Sequence, residues 1–521
     1  MNAILRWRFL LWLSFAGMFA LAQWRVGAYH ADLGGDPDEP AHAVTALMVH
    51  DYLWHGLPGS PLRFAETYYA AWPKVALGHY PPGYYVSGAI ALSLWCDPAM
   101  LLICQAALVG SIGLLVFVSL LGRTGGLSAL TAAVLVVLLP EMIRTGSHVM
   151  ADIQVSLLML ASVLAWLQFL KLPGWRPALL FGFLAAFAIL TKASAAALAG
   201  VPVITVVLCG RWQLVRNAWF WFSALPVVAL AGPWMVMATK FTEEGLMSES
   251  PTDFFQDAVS YYSEAIPRVL GAAMVVLLAF VAVRDLFRFV RGGALEPWRA
   301  CLWAMILATQ TLMMWVPTGF SPRYLLPWWP AVVMLVVDFV MSVPLTFRGV
   351  SRPLREGAVV VLALATWVQC GPVRHKAVSG FRESVDRILS EGSSRGVWLV
   401  SSDPRGEGGV IAAAAFASPQ RWKSGLRVLR GSKELSESDW LGRGYQVKFG
   451  SAKALLGRLD ELGVEWVLAD LSMPAEQVVR HETALNEALQ APDSGWVLSW
   501  TQSVVRAPGV TGPMAVYKRS R

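Results

Sequence analysis

The chain has 521 residues, of which 56% are hydrophobic and 15% charged, with 24 tryptophans and a mean hydropathy of +0.52. Soluble chains carry roughly 25% charged residues, so this composition excludes an ordinary soluble domain and is that of a membrane protein. The net charge of +7 does not indicate a nucleic-acid partner, because Arg and Lys sit in short clusters between apolar runs, the positive-inside pattern of a polytopic chain.

Arg6 and Arg8 precede an apolar run over about 9–28, long enough to span a hydrocarbon core of roughly 30 Å. Ala20-Leu21-Ala22 resembles a signal-peptidase site, so a cleaved leader is the alternative to a first span; either way the residues that follow lie outside. They begin with Gly35-Asp36-Pro37-Asp38-Glu39-Pro40-Ala41-His42. Pro37 and Pro40 hold this stretch extended and then start a helix with the acids at its N-terminal end. The plain alternative is a solvated, helix-capping acidic turn. Residues 40–82 are amphipathic and rich in Tyr and Trp, which predicts short helices lying in the outer interface. The run 83–95 is too short to span easily and is predicted as a juxtamembrane helix, closing a first outer loop over 29–98.

Further apolar segments follow at about 99–121, 127–143, 152–170, 177–191, 193–209, 218–238, 269–283, 300–317, 324–345 and 357–372, giving eleven predicted spans with the first. With the N-terminus inside, the inner loops hold Arg123; Lys171 and Arg176; Arg211 and Arg216; Arg284, Arg288, Arg291 and Arg299; and Arg348, Arg352 and Arg355. The outer segments hold the acidic turn, Arg144–His148, the Lys192 turn, an acidic loop over 239–268 and the Gly319–Arg323 turn. Every loop obeys the positive-inside rule, and an odd count of spans places the tail from 373 to 521 outside. The five cysteines lie in or beside apolar runs without metal-ligand spacing, and the tail contains none. It must then fold on its core alone.

In that tail Gly396–Asp403 reads as a buried strand running into a turn, 451–463 as a helix, Val464–Ala469 as a second strand, and 496–501 with 514–518 as a closing pair. This alternation predicts a small α/β domain over 373–521, beside a membrane domain over 1–372. Gly406-Glu407-Gly408-Gly409 is read as a turn, since a phosphate loop needs a following Lys-Ser/Thr.

The predicted topology puts the costliest polar residues on one face of the membrane. Asp36, Asp38, Glu39 and His42 share the first loop with His79, Tyr80, Tyr84 and Tyr85; Asp152 starts the fourth span; Lys192 interrupts an apolar stretch; Arg323 and Tyr324 begin the tenth span. Singly, each reads equally well as an interfacial anchor. Together, the acids suit a general base or metal ligand, and Lys192 with Arg323 suits a phosphate.

The ordered motifs carry a resemblance. An acidic pair after the first span (Asp38-Glu39, then His42), a Pro-Pro-aromatic turn (His79-Tyr80-Pro81-Pro82-Gly83-Tyr84), a Pro…Asp entry to the fourth span (Pro140, Asp152), Leu190-Thr191-Lys192, and Arg323-Tyr324-Leu325-Leu326-Pro327-Trp328-Trp329-Pro330 resemble the membrane glycosyltransferases of the GT-C fold. The branch is that of the protein O-mannosyltransferases and the lipid A aminoarabinose transferases, over residues 1 to about 345. The resemblance implies a GT-C fold and an inverting hexosyl- or pentosyltransferase. Its donor would be a sugar on a polyprenyl phosphate and its acceptor a lipid, a glycan or a protein, on the periplasmic side of a bacterial inner membrane. Mapped by motif, Asp38 is the base, with Asp36 and Glu39 its competitors. Lys192, Arg323 and Tyr324 hold the donor phosphate, and His42, His79, Tyr80, Tyr84 and Asp152 line the substrate. A divalent metal is a candidate cofactor with Glu39 and His79 as ligands. However, His79 and Tyr80 stand where the aminoarabinose transferases have an acid and a lysine, and Ala193 where glycine is frequent. The competing readings are a transporter or flippase of lipid-linked glycans, disfavoured by the absence of repeats and of mid-membrane charges, and a ligase or polymerase of whole glycans, which calls for a larger late outer loop.

Overall fold

In the computed structural model the described residues are 3–57, 59–239, 250–342, 351–418, 421–439 and 442–520. Arg348 of the predicted inner loops and residues 240–249 of the acidic loop lie outside them. The first helix, α1 (Ala3–Arg25), leaves Trp7, Phe9, Leu13 and Trp24 more than half exposed. Only hydrocarbon makes such a surface favourable. The same outward apolar dressing recurs on the later helices, and the chain is an integral membrane protein.

The first loop folds as expected into short helices: α2 (Asp38–Trp54), α3 (Pro61–Ala71) and α4 (Gly83–Leu92). Ser60 caps α3 by accepting from the Arg63 N–H, with Pro61 in the first turn, and Asp97 with Pro98 starts the next helix in the same way; both are standard helix-start chemistry. The bundle continues with α5 (Pro98–Thr124), α6 (Gly126–Leu138), α7 (Pro140–Gly146), α8 (Asp152–Lys171), α9 (Trp175–Thr191), α10 (Ala193–Cys209) and α11 (Ala218–Met237). It closes with α12 (Pro251–Leu270), α13 (Ala272–Val290), α14 (Pro297–Trp315), α15 (Trp329–Ser342) and α16 (Arg352–Gln369). A helix stands over each of the predicted spans. By length and apolar composition four cross a membrane unaided, or six with each bent pair taken as one span, and three shorter apolar helices join them.

Two breaks shape the end of the bundle nearest the first loop. Pro140 forces Leu139 out of the helical region (ψ 130°) and bends α6 against α7 by 46°. Gly271, at φ +76°, turns α12 against α13 by 111°. The predicted loop over 239–268 is thus helical from Pro251. Phe254, Ala258, Tyr262, Ala265 and Val269 are all buried, so this helix lays one apolar stripe on the bundle.

Beyond α16 the chain forms α17 (Phe381–Ser390), then a mixed sheet in the order β2-β1-β5-β7-β6, with β1 (Gly396–Ser401), β2 (Leu426–Arg430), β5 (Val464–Asp470), β6 (Trp496–Ala507) and β7 (Val510–Arg519). A two-residue pair, β3 (Ser436–Glu437) with β4 (Gln446–Val447), stands apart. β2, β1 and β5 run parallel and β7 joins antiparallel, as expected of a small α/β domain. Side chains alternate: Trp398, Val400, Trp466 and Leu468 face one core, while Leu399, Val467 and Ala469 face another lined by α19 (Ala452–Glu461) and α20 (Arg480–Gln490).

Two expectations need correction. The Gly406–Gly409 stretch is not a turn but lies inside α18 (Pro404–Ala417), started by Asp403, whose side chain accepts from the Gly406 N–H, and by Pro404. Glycine is kept there because the helix lies against the first loop: a Cβ on Gly408 would stand 2.5 Å from Pro40 and 2.8 Å from Lys74. Nor does the tail fold on its own core alone. Its first core is continuous with the first loop, combining Val44, Leu47, Tyr68 and Trp72 with Val385, Trp398, Ile411 and Val516.

Candidate active site

Asp38 sits at the start of α2, held by its neighbours in sequence: Asp36 Oδ1 accepts its backbone N–H at 2.9 Å. Its side chain points to Arg323, on the short turn Pro322–Leu325 before α15. Arg323 Nη2 donates to Asp38 Oδ2 at 2.8 Å and Nη1 to Asp36 Oδ2 at 3.3 Å, while the Tyr80 hydroxyl donates to the same Asp38 oxygen at 3.1 Å. Lys192 occupies an extended residue between α9 and α10 (φ −154°, ψ 128°). Its ammonium donates to Asp152 Oδ1, at the start of α8, at 2.7 Å and lies 4.5 Å from the Tyr324 ring centre; the Arg323 guanidinium lies 5.6 Å from the same ring, within cation–π range. The Pro81-Pro82-Gly83 turn abuts the Lys192 turn. A Cβ on Gly83 would stand 2.8 Å from the Leu190 carbonyl oxygen, so a side chain there would push the two turns apart. Gln154 bridges them, donating to Thr191 Oγ1 at 3.0 Å and to Gly83 O at 3.4 Å.

The structure therefore gathers Asp36, Asp38, Tyr80, Asp152, Lys192, Arg323 and Tyr324 into one cluster drawn from five separate stretches of chain. His42 is one turn of α2 behind it, fully buried, with Nδ1 3.0 Å from the Tyr85 hydroxyl and its ring edge-on to Tyr80 and Tyr84 at 4.6 and 5.3 Å. Burial depresses the His42 imidazole to about 4 against the pull of Asp38, so it is neutral near pH 7 and packs rather than pairs. Burial, reinforced by Asp38, pushes the Tyr80 phenol well above its usual range and keeps it a donor. For Asp38, burial opposes ionisation, but the neighbouring positive charge outweighs it and holds the carboxyl below its ordinary value. With His42 neutral, that charge is Arg323 and, behind it, Lys192.

Glu39 does not join this cluster. Glu39 is fully buried, and its carboxylate accepts the Gly34, Gly35 and Val149 N–H groups at 3.2, 3.2 and 3.3 Å and the ammonium of Lys376. Burial would raise its pKa; Lys376 and His148 more than reverse that. His79 is half-buried in the turn before Tyr80. Among the described residues no group of three or more His, Cys, Asp or Glu side chains is placed to hold an ion, and the Glu39 oxygens are already taken. The residues do not fit a metal centre at Glu39.

Sequence reasoning missed the tail's share. Lys376, Arg421 and the α17 N-terminus all reach first-loop carboxylates: Arg421 Nη1 lies 2.9 Å from Asp51 Oδ1, and the Phe381 and Arg382 N–H groups donate to Asp32 Oδ2 at 2.9 and 3.2 Å. Lys74 reaches the other way, to the Pro404 carbonyl at 3.1 Å.

No family model and no curated protein matches the chain. Solved structures do. ArnT from Cupriavidus metallidurans bound to undecaprenyl phosphate is 12% identical with a TM-score of 0.56, over 97% of both chains. The Archaeoglobus fulgidus oligosaccharyltransferase in the apo form is 12% identical with a TM-score of 0.54, over 89% of this chain and 70% of its own. AglB from the same archaeon, in complex with an inhibitory peptide and a dolichol-phosphate, gives 12% and 0.52, over 89% and 69%. The fold is thus the GT-C fold of membrane glycosyltransferases, a helical membrane layer followed by a small sheet-bearing domain.

Proposed function

We propose that this chain is an integral membrane glycosyltransferase that moves a sugar from a polyprenyl phosphate to a hydroxyl or phosphate oxygen of a lipid, glycan or protein acceptor. The reading places eleven spans in a bacterial inner membrane, with the reaction centre and the tail outside. The observation that carries it is the shared oxygen of Asp38. One carboxylate oxygen faces both a guanidinium and a phenol, and Asp38 is still 21% exposed and Arg323 14%. Support comes from the likeness to ArnT, whose structure holds undecaprenyl phosphate, and to AglB, whose structure holds a dolichol-phosphate.

The steps follow from charge. The donor phosphate competes for the Arg323 fork, which suits it bidentately, and moves it off Asp38. The released carboxylate takes the proton of the acceptor hydroxyl as its oxygen attacks the anomeric carbon from the face opposite the phosphate. The bond from that carbon to the phosphate oxygen breaks, the configuration inverts, and polyprenyl phosphate leaves with the electron pair. The leaving group is already stabilised as an anion, so the cluster needs cations more than an acid; Arg323 and Lys192 supply them. Asp152 and Tyr324 orient Lys192, Tyr80 holds Asp38, and His42 and Tyr84 pack behind. Asp36 steers Arg323 between its two positions.

A second reading, transfer of a whole glycan, draws on the oligosaccharyltransferase likeness alone. The experiment separates them: purified protein in detergent, a panel of radiolabelled polyprenyl-phosphate monosaccharides and polyprenyl-linked oligosaccharides, and Asp38→Asn beside wild type. Consumption of a monosaccharide donor that drops about 10³-fold in Asp38→Asn meets the proposal. Turnover of oligosaccharide donors alone selects the second reading, and binding without turnover in both proteins defeats the enzyme reading and favours a carrier.

A further inference from the structure

The most completely buried ion pair of the first loop does not lie in the reaction centre. Glu39 follows Asp38 directly, yet its side chain is fully buried and meets Lys376, itself 4% exposed, from a segment 337 residues away. Lys376 also donates to the Ser147 carbonyl at 3.4 Å, and Glu39 accepts from Val149. The pair therefore fastens three segments at one point: the acidic turn, the 372–380 connection, and the loop that leads into Asp152. Backbone bonds repeat the tie on both sides, Lys376 N–H to Val26 O and Asp32 N–H to Val378 O, each 2.7 Å. Further tethers, among them Arg421 to Asp51, Lys74 to Pro404, and Asp32 to the start of α17, pull the same loop onto the same domain.

We infer that the C-terminal domain is a positioning element of the reaction centre, with Lys376 the residue that, through Glu39, sets the place of Asp38 relative to Arg323 and Asp152. Without Lys376 the Glu39 carboxylate keeps only its three backbone N–H donors, and a buried charge stripped of its counter-ion is costly, so the side chain is expected to shift toward water. Adjacent helical residues share one backbone, so a shift of Glu39 carries Asp38 with it. Proton abstraction at an anomeric attack depends on placement at the ångström scale, and misplacements of about 1 Å cost about 10²-fold. Lys376 touches no substrate in this account, and it is a positioning residue.

The inference rests on the glycosyltransferase reading, and its test has two readouts that separate the two. With the full chain in detergent, Lys376→Met is compared with wild type for turnover per folded molecule and for hydrogen exchange of the peptide spanning residues 34–42. The expected result is kcat lower by about 10²-fold with donor KM unchanged, faster exchange at residues 34–42, and unchanged exchange at 322–325. The pair Glu39→Gln/Lys376→Met removes both charges and recovers part of the lost turnover. Wild-type turnover in Lys376→Met, or a loss of turnover without faster exchange at residues 34–42, overturns the inference. If wild type consumes no donor, the glycosyltransferase reading falls, and exchange alone decides: faster in the variant upholds the tie, unchanged refutes it. Should Lys376→Met not accumulate as folded protein, Glu39→Gln tests the tie from its other end with the same two readouts.

Discussion

The two ends of the bundle each carry an arginine–carboxylate network, and they are built to opposite ends. Away from the first loop, Arg299 donates from Nε and Nη2 to Asp285 at 3.0 and 2.7 Å and from Nη1 to Asp338 at 2.7 Å. Arg123 likewise uses Nε on Asp338 and both Nη atoms on Glu296. Every guanidinium nitrogen of Arg123 and Arg299 has a carboxylate, Trp303 adds a bond to Asp285 at 2.8 Å, and Arg299, Asp285 and Asp338 are all 5–7% exposed. At the other end Arg323 shares its two Nη atoms between Asp36, Asp38 and the Met150 sulfur, and its buried Nε has no partner among the described residues. Buried polar groups are normally satisfied, but Arg355 Nε near the other end also has no partner among the described residues, so the contrast lies in the carboxylates and not in the orphan. The first network is saturated and ties α5, α13, α14 and α15 together. The second keeps its acids reachable, with Asp36 32% and Asp38 21% exposed, as the proposed exchange of a carboxylate for a phosphate would require.

That contrast breaks if the wrong end proves to be structural. Arg299→Met leaves Asp285 and Asp338 buried beside an apolar side chain, and should cost about 3–5 kcal/mol of stability, read as a lower Tm in detergent, with turnover per folded molecule unchanged. Arg323→Gln should do the reverse: kcat down by about 10²–10³-fold, the size of losing one charge-stabilising donor, with Tm moved little because its carboxylates reach water. A large Tm loss in Arg323→Gln would make both networks scaffolding. Lys192→Gln is the milder probe. It keeps one hydrogen bond to Asp152 and loses the charge over Tyr324, so donor KM should rise about tenfold, one charge-assisted bond in size, in initial-rate assays against donor concentration.

Much of this was legible in the sequence because an apolar chain has few charges and each is costly to place. The acidic turn, the Pro81-Pro82 turn, Lys192 and Arg323 mark themselves that way, and the structure brings Asp38, Tyr80, Lys192 and Arg323 together. What separates Asp38 from Glu39 was not legible. Successive residues on a helix point roughly 100° apart, so one faces Arg323 and the other the core, and no composition rule says which. Lys376 carried no signal at all, as one lysine in a polar tail with its partner 337 residues away. Nor did the saturated network: Asp338 sits inside an apolar run and becomes meaningful only once α14 brings Arg299 beside it. The glycines of 406–409 were misread for a related reason. Their low helix propensity is overridden by the close approach of α18 to Pro40, a tertiary fact.

The smallest effect sharpens the comparison through pH. His42 stands behind the site, buried and neutral, with its imidazole held at about 4 against an ordinary 6.5. Between those values the unfolded chain binds a proton at this position that the folded chain refuses. Stability from this residue is therefore fully present above pH 6.5 and is lost as pH falls from 6.5 towards 4, by on the order of 3 kcal/mol at most. Asp32, whose carboxyl burial raises to about 6, acts with the opposite sign over an overlapping range, since the folded state holds its proton more tightly and gains stability as pH falls through 6. The quantity to measure is thus a difference, the Tm of wild type minus that of His42→Asn across pH 7.5 to 4.5, in which Asp32 cancels. That difference should shrink steadily below pH 6.5. Repeated in Arg299→Met, it should shrink by the same amount, because the saturated network contains no histidine and lies at the other end of the bundle. Wild type and His42→Asn losing Tm in parallel would mean that water reaches His42, and the site would then be open further back than the partly exposed edge of Asp38.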